Sequence, residues 1–305
     1  MKLSNILRNM NLGITYDIIN DIEFKYLGLS ASHIEDDLCI FIDSAKYIDS
    51  IRENVRMVIT TKDISISINT LEKGLCVVED PRHLFFEIHN FLSNHVDYKR
   101  AQFNTSFGSN CSINPLSSIS KNNVEVGNNV VIEEFVVIRE NTKINDNTII
   151  RSGSVIGGEG FEFKRTGDVV SSVKHLGGVV IGKNVEIQYN SCVDKAVYPW
   201  DNTIIGDYNK IDNLVHIGHA VKTKNNVMIV ALSGIGGRTI IKEDSWIGFG
   251  AIITNGIEIG KNSRANIGSV VTKSIPNNQS YSGNFAIEHT KFLRHIKKIN
   301  SEEII

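Results

Sequence analysis

Aliphatic residues recur at every sixth position through most of the chain beyond residue 125. The first run is unbroken and contains Val126, Ile132, Ile138, Ile144, Ile150 and Ile156. A short run follows at Ile181, Ile187 and Val193, and a third extends from Ile205 to Ile259, where only Thr223 is polar. A fixed short period is typical of a solenoid, in which each repeat packs on the next coil. We therefore predict one short strand and one turn per hexad, with the aliphatic side chain inside the tube.

Two stretches interrupt the repeat, residues 157–178 and residues 194–203. One extra residue also lies near 121–123. Elsewhere Gly, Asn and Asp are frequent between the aliphatic positions, which suits turns that require positive φ. Long excursions from a regular wall are often functional, because the wall itself offers few ways to recognise a ligand.

The segments before and after the repeat have different patterns. Residues 1–100 are predicted as a small α/β domain, with strands near 55–60 and 75–78 and a helix that Asp80 and Pro81 begin. Residues 101–280 form the predicted β-helix. Residues 281–305 are predicted as a helical tail, because Phe292, Leu293, Ile296 and Ile299 fall at helical spacing.

Charge and composition exclude several classes of function. The formal net charge of -2 argues against general nucleic-acid binding. No segment approaches the ~20 apolar residues of a membrane span, and the N-terminus lacks a long apolar run, so we expect a cytoplasmic protein. The four cysteines form no metal-binding pattern and are expected to be free thiols: Cys39, Cys76, Cys111 and Cys192.

Three stretches together resemble the UDP-3-O-acylglucosamine N-acyltransferases of lipid A synthesis. They are residues 156–182, which begin IGGEGF; residues 203–219, which contain KIDNLVHIGH; and residues 41–47, FIDSAKY. The resemblance implies a mainly β protein: a left-handed parallel β-helix with a small N-terminal α/β domain and a C-terminal helix. The left hand rests on the resemblance alone, since sheet crossovers are right-handed in about 98% of cases. The resemblance also implies a homotrimer with sites between subunits.

The resemblance carries roles over to individual residues. His219 matches the family's catalytic base, and Asp212 and Asn213 match motif positions just before it. Phe41 and Tyr47 match two aromatic residues that sandwich the pyrimidine of the nucleotide, which makes residues 1–100 the predicted nucleotide-sugar-binding domain. Two positions depart from the family pattern: Ser44 stands where an Asn usually contacts the base, and Gly256 where a second His is common.

Amide formation from a thioester suits these residues. A neutral imidazole can accept the proton that the attacking amine loses, and Asp212 is predicted to orient His219 or to steer the substrate. Backbone N–H groups of the glycine-rich wall can stabilise the thioester oxyanion. The predicted acyl-donor residues are Gly234, Gly237 and Gly250, and the further predicted substrate contacts are Ser44, Asn213, His216 and Trp200.

The predicted function is acyl transfer from acyl-CoA or acyl carrier protein to the amine of a dTDP- or UDP-linked amino sugar, with no bound cofactor. Ser44 and Gly256 favour a deoxy-amino sugar for surface polysaccharide, and the lipid A precursor is the alternative. A non-catalytic β-helix scaffold is a further alternative, which His219 within its motif argues against. A zinc enzyme is disfavoured, because His216 and His219 have no third ligand nearby in the sequence.

Overall fold

A computed structural model describes residues 1–10, 12–32, 34–68, 72–283 and 286–301. Parts of the predicted tail therefore lie outside the described residues, namely 284, 285 and 302–305 and the side chain of Ile299. Strands and helices are numbered below in chain order.

The N-terminal region is a five-stranded sheet that packs against helices. Its strands lie in the order β1-β5-β4-β3-β2, and only β1 is antiparallel to its neighbour. The strands are β1 (Tyr16–Ile19), β2 (Tyr26–Leu27), β3 (Leu38–Ile42), β4 (Val55–Thr60) and β5 (Gly74–Val78). The helices are α1 (Leu3–Met10), α2 (Lys62–Ser65), α3 (Pro81–Leu92) and two 3-10 helices, Ala45–Ser50 and Val96–Tyr98. The predicted strands and helix are confirmed, and the Asp80 carboxylate caps α3 by accepting the backbone N–H of His83.

Residues 106–281 wind into a three-sided left-handed parallel β-helix with two excursions. Face 1 comprises β6 (Ser106–Phe107), β9 (Val124–Val126), β12 (Thr142–Ile144), β17 (Gly178–Ile181), β20 (Asn202–Ile205), β23 (Lys222–Thr223), β26 (Ile240–Ile241) and β29 (Glu258–Ile259). Face 2 comprises β7 (Ser112–Ile113), β10 (Val131–Ile132), β13 (Ile149–Ile150), β18 (Glu186–Ile187), β21 (Lys210–Ile211), β24 (Met228–Ile229), β27 (Trp246–Ile247), β30 (Arg264–Ala265) and β32 (Ser280–Tyr281). Face 3 comprises β8 (Ser118–Ile119), β11 (Val137–Ile138), β14 (Val155–Gly158), β19 (Cys192–Asp194), β22 (His216–Ile217), β25 (Gly234–Ile235), β28 (Ile252–Ile253) and β31 (Val270–Val271).

The hexad residues form the core of this tube. The aliphatic positions from Val126 to Ile259 are buried and belong to one hydrophobic cluster. Thr223 is also buried, and its hydroxyl oxygen accepts the backbone N–H of Gly206 and the side-chain amide of Asn209. A polar hexad position is tolerated there because its oxygen is hydrogen-bonded. The fold class predicted from the repeat and from the resemblance is confirmed.

Both predicted excursions leave the tube at one corner, where the chain passes from face 3 to face 1. We call this corner 3, and the corner between faces 2 and 3 is corner 2. The first excursion lies between β14 and β17 and contains an antiparallel hairpin of β15 (Phe163–Thr166) and β16 (Val169–Ser172). The second lies between β19 and β20. Side chains from both join the hydrophobic core of the N-terminal region, so corner 3 is where the two regions meet.

The predicted tail helix is α4 (His289–Ser301). The side chains of Phe292, Leu293 and Ile296 are exposed in the single chain. Among the described residues, no helix has the length and apolar character that crossing a bilayer requires.

Candidate active site

His219 lies at corner 3, in the turn that follows β22, and its side chain is buried. Its Nε2 atom is 3.1 Å from Oε2 of Glu162, in the first excursion. Its Nδ1 atom is also buried and has no hydrogen-bond partner in the described part of the chain. A carboxylate beside Nε2 favours the tautomer with its proton on that atom, which leaves the lone pair on Nδ1.

Glu162 also contacts two cations. Its Oε1 pairs with Nζ of Lys164, and its Oε2 lies 3.5 Å from a guanidinium nitrogen of Arg238. Burial alone favours the neutral carboxyl, but hydrogen bonds from His219 and Lys164 and the charges of both cations hold the pKa of Glu162 well below its usual range. The carboxylate is therefore ionised and shared among three groups.

The imidazole of His219 is held tightly on two other sides. A Cβ atom at Gly237 would lie only 2.6 Å from Nε2, so this glycine packs directly on the ring. The ring of His175 packs edge-on against it at a centroid distance of 5.7 Å. Burial lowers the pKa of His175 to about 4, so this second ring is neutral near pH 7.

A pocket of about 300 Å³ opens beside this cluster and joins the two regions of the molecule. It is lined by Leu29, Ser30, Ala31, Phe41, Asp43, Tyr47, Arg82, Phe86, Glu162, Lys164 and Arg238. The N-terminal region supplies the apolar and aromatic side chains of the pocket together with Arg82, and the β-helix with its first excursion supplies Arg238 and Lys164. Glu162, one of the lining residues, contacts His219 with its carboxylate.

The two aromatic residues predicted to hold a pyrimidine both line this pocket. Phe41 packs on Phe85 and Phe86 at centroid distances of 5.0 and 5.9 Å, so its ring is fixed. Tyr47 is 42% exposed, and Nζ of Lys46 lies 4.8 Å from the centroid of its ring. Ser44, the predicted base contact, begins the 3-10 helix that carries Tyr47, and its carbonyl accepts the Tyr47 N–H.

The structure does not bring Asp212 to His219, because Asp212 lies at corner 2. Its carboxylate accepts the backbone N–H groups of Asn213 and Ala231 at 2.7 and 3.1 Å. The side chain of Asn213 accepts the N–H of Tyr189. The orienting role predicted for Asp212 is therefore not supported, since both side chains satisfy backbone donors at another corner. Gly250 lies at corner 2 as well, with φ of 64°.

His216 and Gly234 lie between the two corners, paired on adjacent strands of face 3. Nε2 of His216 is 3.8 Å from Oδ2 of Asp194. Burial raises the pKa of Asp194 to about 7. The pKa of His216 is lowered, mainly by burial and to a smaller extent by the charge of the nearby His219. A Cβ at Gly160 would lie 3.1 Å from both Asp194 Oδ2 and His175 Nε2, so the first excursion closes tightly over these groups.

Trp200 is placed as a packing residue. Its ring stacks on Tyr198 with an interplanar angle of 3°, and its N–H donates to the carbonyl of Leu27 at 2.9 Å. These contacts attach the second excursion to the N-terminal region. The predicted substrate contact is therefore not supported, since the indole N–H is engaged within the protein.

Sequence reasoning missed Glu162, Lys164, Arg238 and Arg82. Three of them lie far from His219 in sequence, and no short motif connects them. The one available signal was Glu162 within the first excursion, directly after the IGGEGF stretch. Among the described residues, no group of three or more His, Cys, Asp or Glu side chains is arranged to hold a metal ion.

A profile of the bacterial transferase hexapeptide, six repeats long, matches residues 123–158. Within residues 123–158 the chain therefore carries bacterial transferase hexapeptide repeats. Its resemblance to UDP-3-O-acylglucosamine N-acyltransferases is also confirmed. The protein of that name from Delftia acidovorans is 32% identical over 136 residues, which are 45% of this chain and 40% of the relative. A second from Legionella pneumophila is 43% identical over 91 residues, 30% of this chain and 26% of the relative.

This chain thus matches about two fifths or less of the length of these two relatives.

Solved structures support the fold. The UDP-N-acetylglucosamine acyltransferase of Arabidopsis superposes with a TM-score of 0.53 at 22% identity, covering 66% of this chain and 68% of its own. The Campylobacter jejuni enzyme of the same name gives 0.53 at 21% identity, covering 65% and 79%.

Proposed function

We propose that this protein transfers an acyl group from a thioester to the amine of a nucleotide-linked amino sugar. The observation that carries the proposal is the pocket that joins the aromatic pair Phe41 and Tyr47 to the Glu162–His219 pair. The aromatic end suits a flat pyrimidine ring, and the end at Glu162 and His219 suits proton transfer. The acyl donor is acyl-CoA or acyl carrier protein.

The pocket's charges support a diphosphate between these two ends. Arg82, Lys164 and Arg238 line it together with only two carboxylates, Asp43 and Glu162. Arginine forks and a lysine ammonium are the side chains that bind phosphate oxygens most strongly. A pyrimidine on Tyr47 would place the diphosphate among these cations, with the sugar directed towards His219.

The chemistry requires one proton acceptor. The amine nitrogen attacks the thioester carbonyl, its proton passes to the free imidazole nitrogen of His219, and the C–N bond forms. The C–S bond then breaks, and the thiolate leaves and takes up the proton from the imidazolium. Glu162 is a positioning residue in this scheme, because it holds Nε2–H and stabilises the imidazolium. The backbone N–H of Gly237 is the proposed oxyanion donor.

The acceptor sugar that fits the relatives best is UDP-3-O-acylglucosamine, the lipid A precursor. The relatives' names support this alternative better than a deoxy-amino sugar for surface polysaccharide. Ser44 and Gly256 remain the residues that favour the deoxy-sugar.

A substrate panel tests the proposal. UDP- and dTDP-amino sugars are each incubated with short and long acyl-CoA and acyl carrier protein, and products are read by mass spectrometry. We expect an N-acylated UDP-sugar. Modification of a dTDP-sugar alone would favour the deoxy-sugar branch. No product with any pair would favour the non-catalytic scaffold.

Tyr47→Ala tests the base-stacking contact. Stacking on an aromatic face contributes ~1–3 kcal/mol, so we expect KM for the nucleotide sugar to rise by roughly 5–150-fold. KM for the acyl donor should change much less. Tyr208→Ala is the matched control, because Tyr208 is exposed on the β-helix away from the pocket. Equal effects on both substrates would argue against stacking.

Assembly into a homotrimer is expected from the apolar surface of face 3 and corner 2. Leu214, Leu232, Ile252 and Val270 are all exposed there in the single chain. A contiguous patch of this kind marks an interface. Light scattering should return three times the monomer mass, and Ile252→Asp should lower it. A monomer at working concentration would contradict a site shared between subunits.

A further inference from the structure

Among the residues that the structure describes, Glu162 is the group of this site that touches both the proposed base and the proposed phosphate-binding cations. Its side chain is 10% exposed; Oε2 contacts both His219 and Arg238, and Oε1 contacts Lys164. Lys164 and Arg238 line the pocket together with Glu162, whereas His219 is not one of the lining residues. A ligand in the pocket can therefore contact the two cations without contacting His219.

This arrangement sets up a competition for the two cations. In the free protein they neutralise the carboxylate, which weakens its pull on the imidazole proton. A diphosphate brings at least two negative charges and several acceptor oxygens to Lys164 and Arg238. Each cation that binds phosphate instead neutralises less of the negative charge of Glu162. His219 is then the remaining partner of the carboxylate.

We propose that binding of a nucleotide diphosphate releases Glu162 from Lys164 and Arg238 and so raises the proton affinity of His219. The inference rests on the proposed function and deepens it, since it makes the strength of the base depend on an occupied sugar-nucleotide site. Glu162 acts as a positioning residue that couples the two ends of the pocket. By linkage, the protonated enzyme binds the nucleotide more tightly by the same factor.

The other titratable groups near His219 do not provide this coupling. His175 packs on the ring and is neutral near pH 7. His216 and Asp194 lie on face 3, in contact with each other. None of these three lines the pocket, so a diphosphate does not change their partners directly. Lys164 and Arg238 act on the imidazole through the carboxylate between them.

The experiment is an NMR titration of His219 in the full-length protein, with and without saturating UDP. Imidazole Cε1–H signals report protonation, and a His219→Gln spectrum assigns the signal. We expect UDP to raise the titration midpoint by about one pH unit, which corresponds to a tenfold change in proton affinity. The dissociation constant of UDP should fall about tenfold as pH drops through that midpoint.

Three variants separate the coupling through Glu162 from a direct effect of the diphosphate charge on His219. Glu162→Gln keeps the side-chain shape and should reduce the UDP-induced shift to less than half. Lys164→Met removes one competing cation and should raise the midpoint before any UDP is added, so it mimics the ligand. Arg82→Gln is the matched control: Arg82 lines the same pocket without contacting Glu162 in the ion pairs found, so it should weaken UDP binding and leave the free midpoint unchanged.

The outcomes are distinguishable. If UDP binds but the midpoint does not move, or moves equally in Glu162→Gln, the coupling is wrong and the proposed function stands. If UDP does not bind at all, the pocket assignment in the proposed function is wrong, and the coupling is overturned with it. A shift in the wild type that is lost in Glu162→Gln and reproduced by Lys164→Met without ligand supports the coupling.

Discussion

Replacing His219 with alanine is expected to lower kcat by ~10²–10⁴-fold, the usual contribution of a general base. KM for the nucleotide sugar should change little, because His219 does not line the pocket. The fold should persist, since Glu162 keeps Lys164 and Arg238 as partners and is not left as an unpaired buried charge. Steady-state kinetics with thermal unfolding measures both parts.

The pH profile and a neighbouring histidine provide the controls. In the wild type, kcat/KM should rise with pH as the general base loses its proton, and His219→Ala should abolish that rise. His216→Ala should cost far less, because His216 is half-exposed on face 3 and pairs with Asp194. Near-normal kcat in a stable His219→Ala protein would refute the assignment. The base would then be sought at Glu159 or Asp194, or the amine would enter neutral and need no base.

Gly237→Ala is expected to lower kcat by about 10²-fold without unfolding the β-helix. The added Cβ would lie 2.6 Å from Nε2 and 2.8 Å from Cε1 of His219, which is closer than real contacts allow, so the ring must shift. Misplacing a catalytic group by ~1 Å costs on that order. The backbone itself tolerates alanine, because Gly237 is not among the residues with positive φ.

Gly234→Ala is the matched control for this steric argument. Its Cβ would meet only the flexible end of Ile252, at 3.3 Å, and its φ is also compatible with an L residue. We expect near-normal kcat and a small change in thermal stability. If both variants lose activity equally, the loss reflects the glycine-rich wall as a whole. If neither loses activity, the contact with His219 is unimportant for catalysis.

The hexad repeat was enough to predict the tube, because its signal is local and repeated. Each aliphatic residue from Val126 to Ile259 needs burial, and six-residue spacing permits that for all of them at once only in stacked short strands. The polar exception, Thr223, required the structure, since its partners Gly206 and Asn209 lie earlier in the chain. The helix after Asp80 could also be predicted from the sequence, because capping and the spacing of apolar residues are short-range signals.

Only part of the candidate site could be predicted from the sequence. The motif around His219 identified the residue, and the aromatic pair Phe41 and Tyr47 was matched in the N-terminal domain. Neither signal indicated that the aromatic pair and His219 meet through Glu162, which lines the pocket and contacts the imidazole. That meeting depends on the first excursion leaving the tube at corner 3 and packing against the N-terminal core, a long-range contact that no local pattern encodes.

The assignment of the orienting carboxylate shows where sequence reasoning ended. Asp212 is seven residues from His219 and matches a position of the same family motif, which suggested that the two interact. In a three-sided coil, however, residues one hexad apart lie at different corners, and Asp212 binds backbone amides at corner 2. Glu162 reaches His219 from more than fifty residues away because corner 3 stacks successive coils. The sequence by itself determined the repeat and the core and predicted His219 as the base; only the tertiary structure decided the charged partners of His219, because corner contacts join residues whole coils apart.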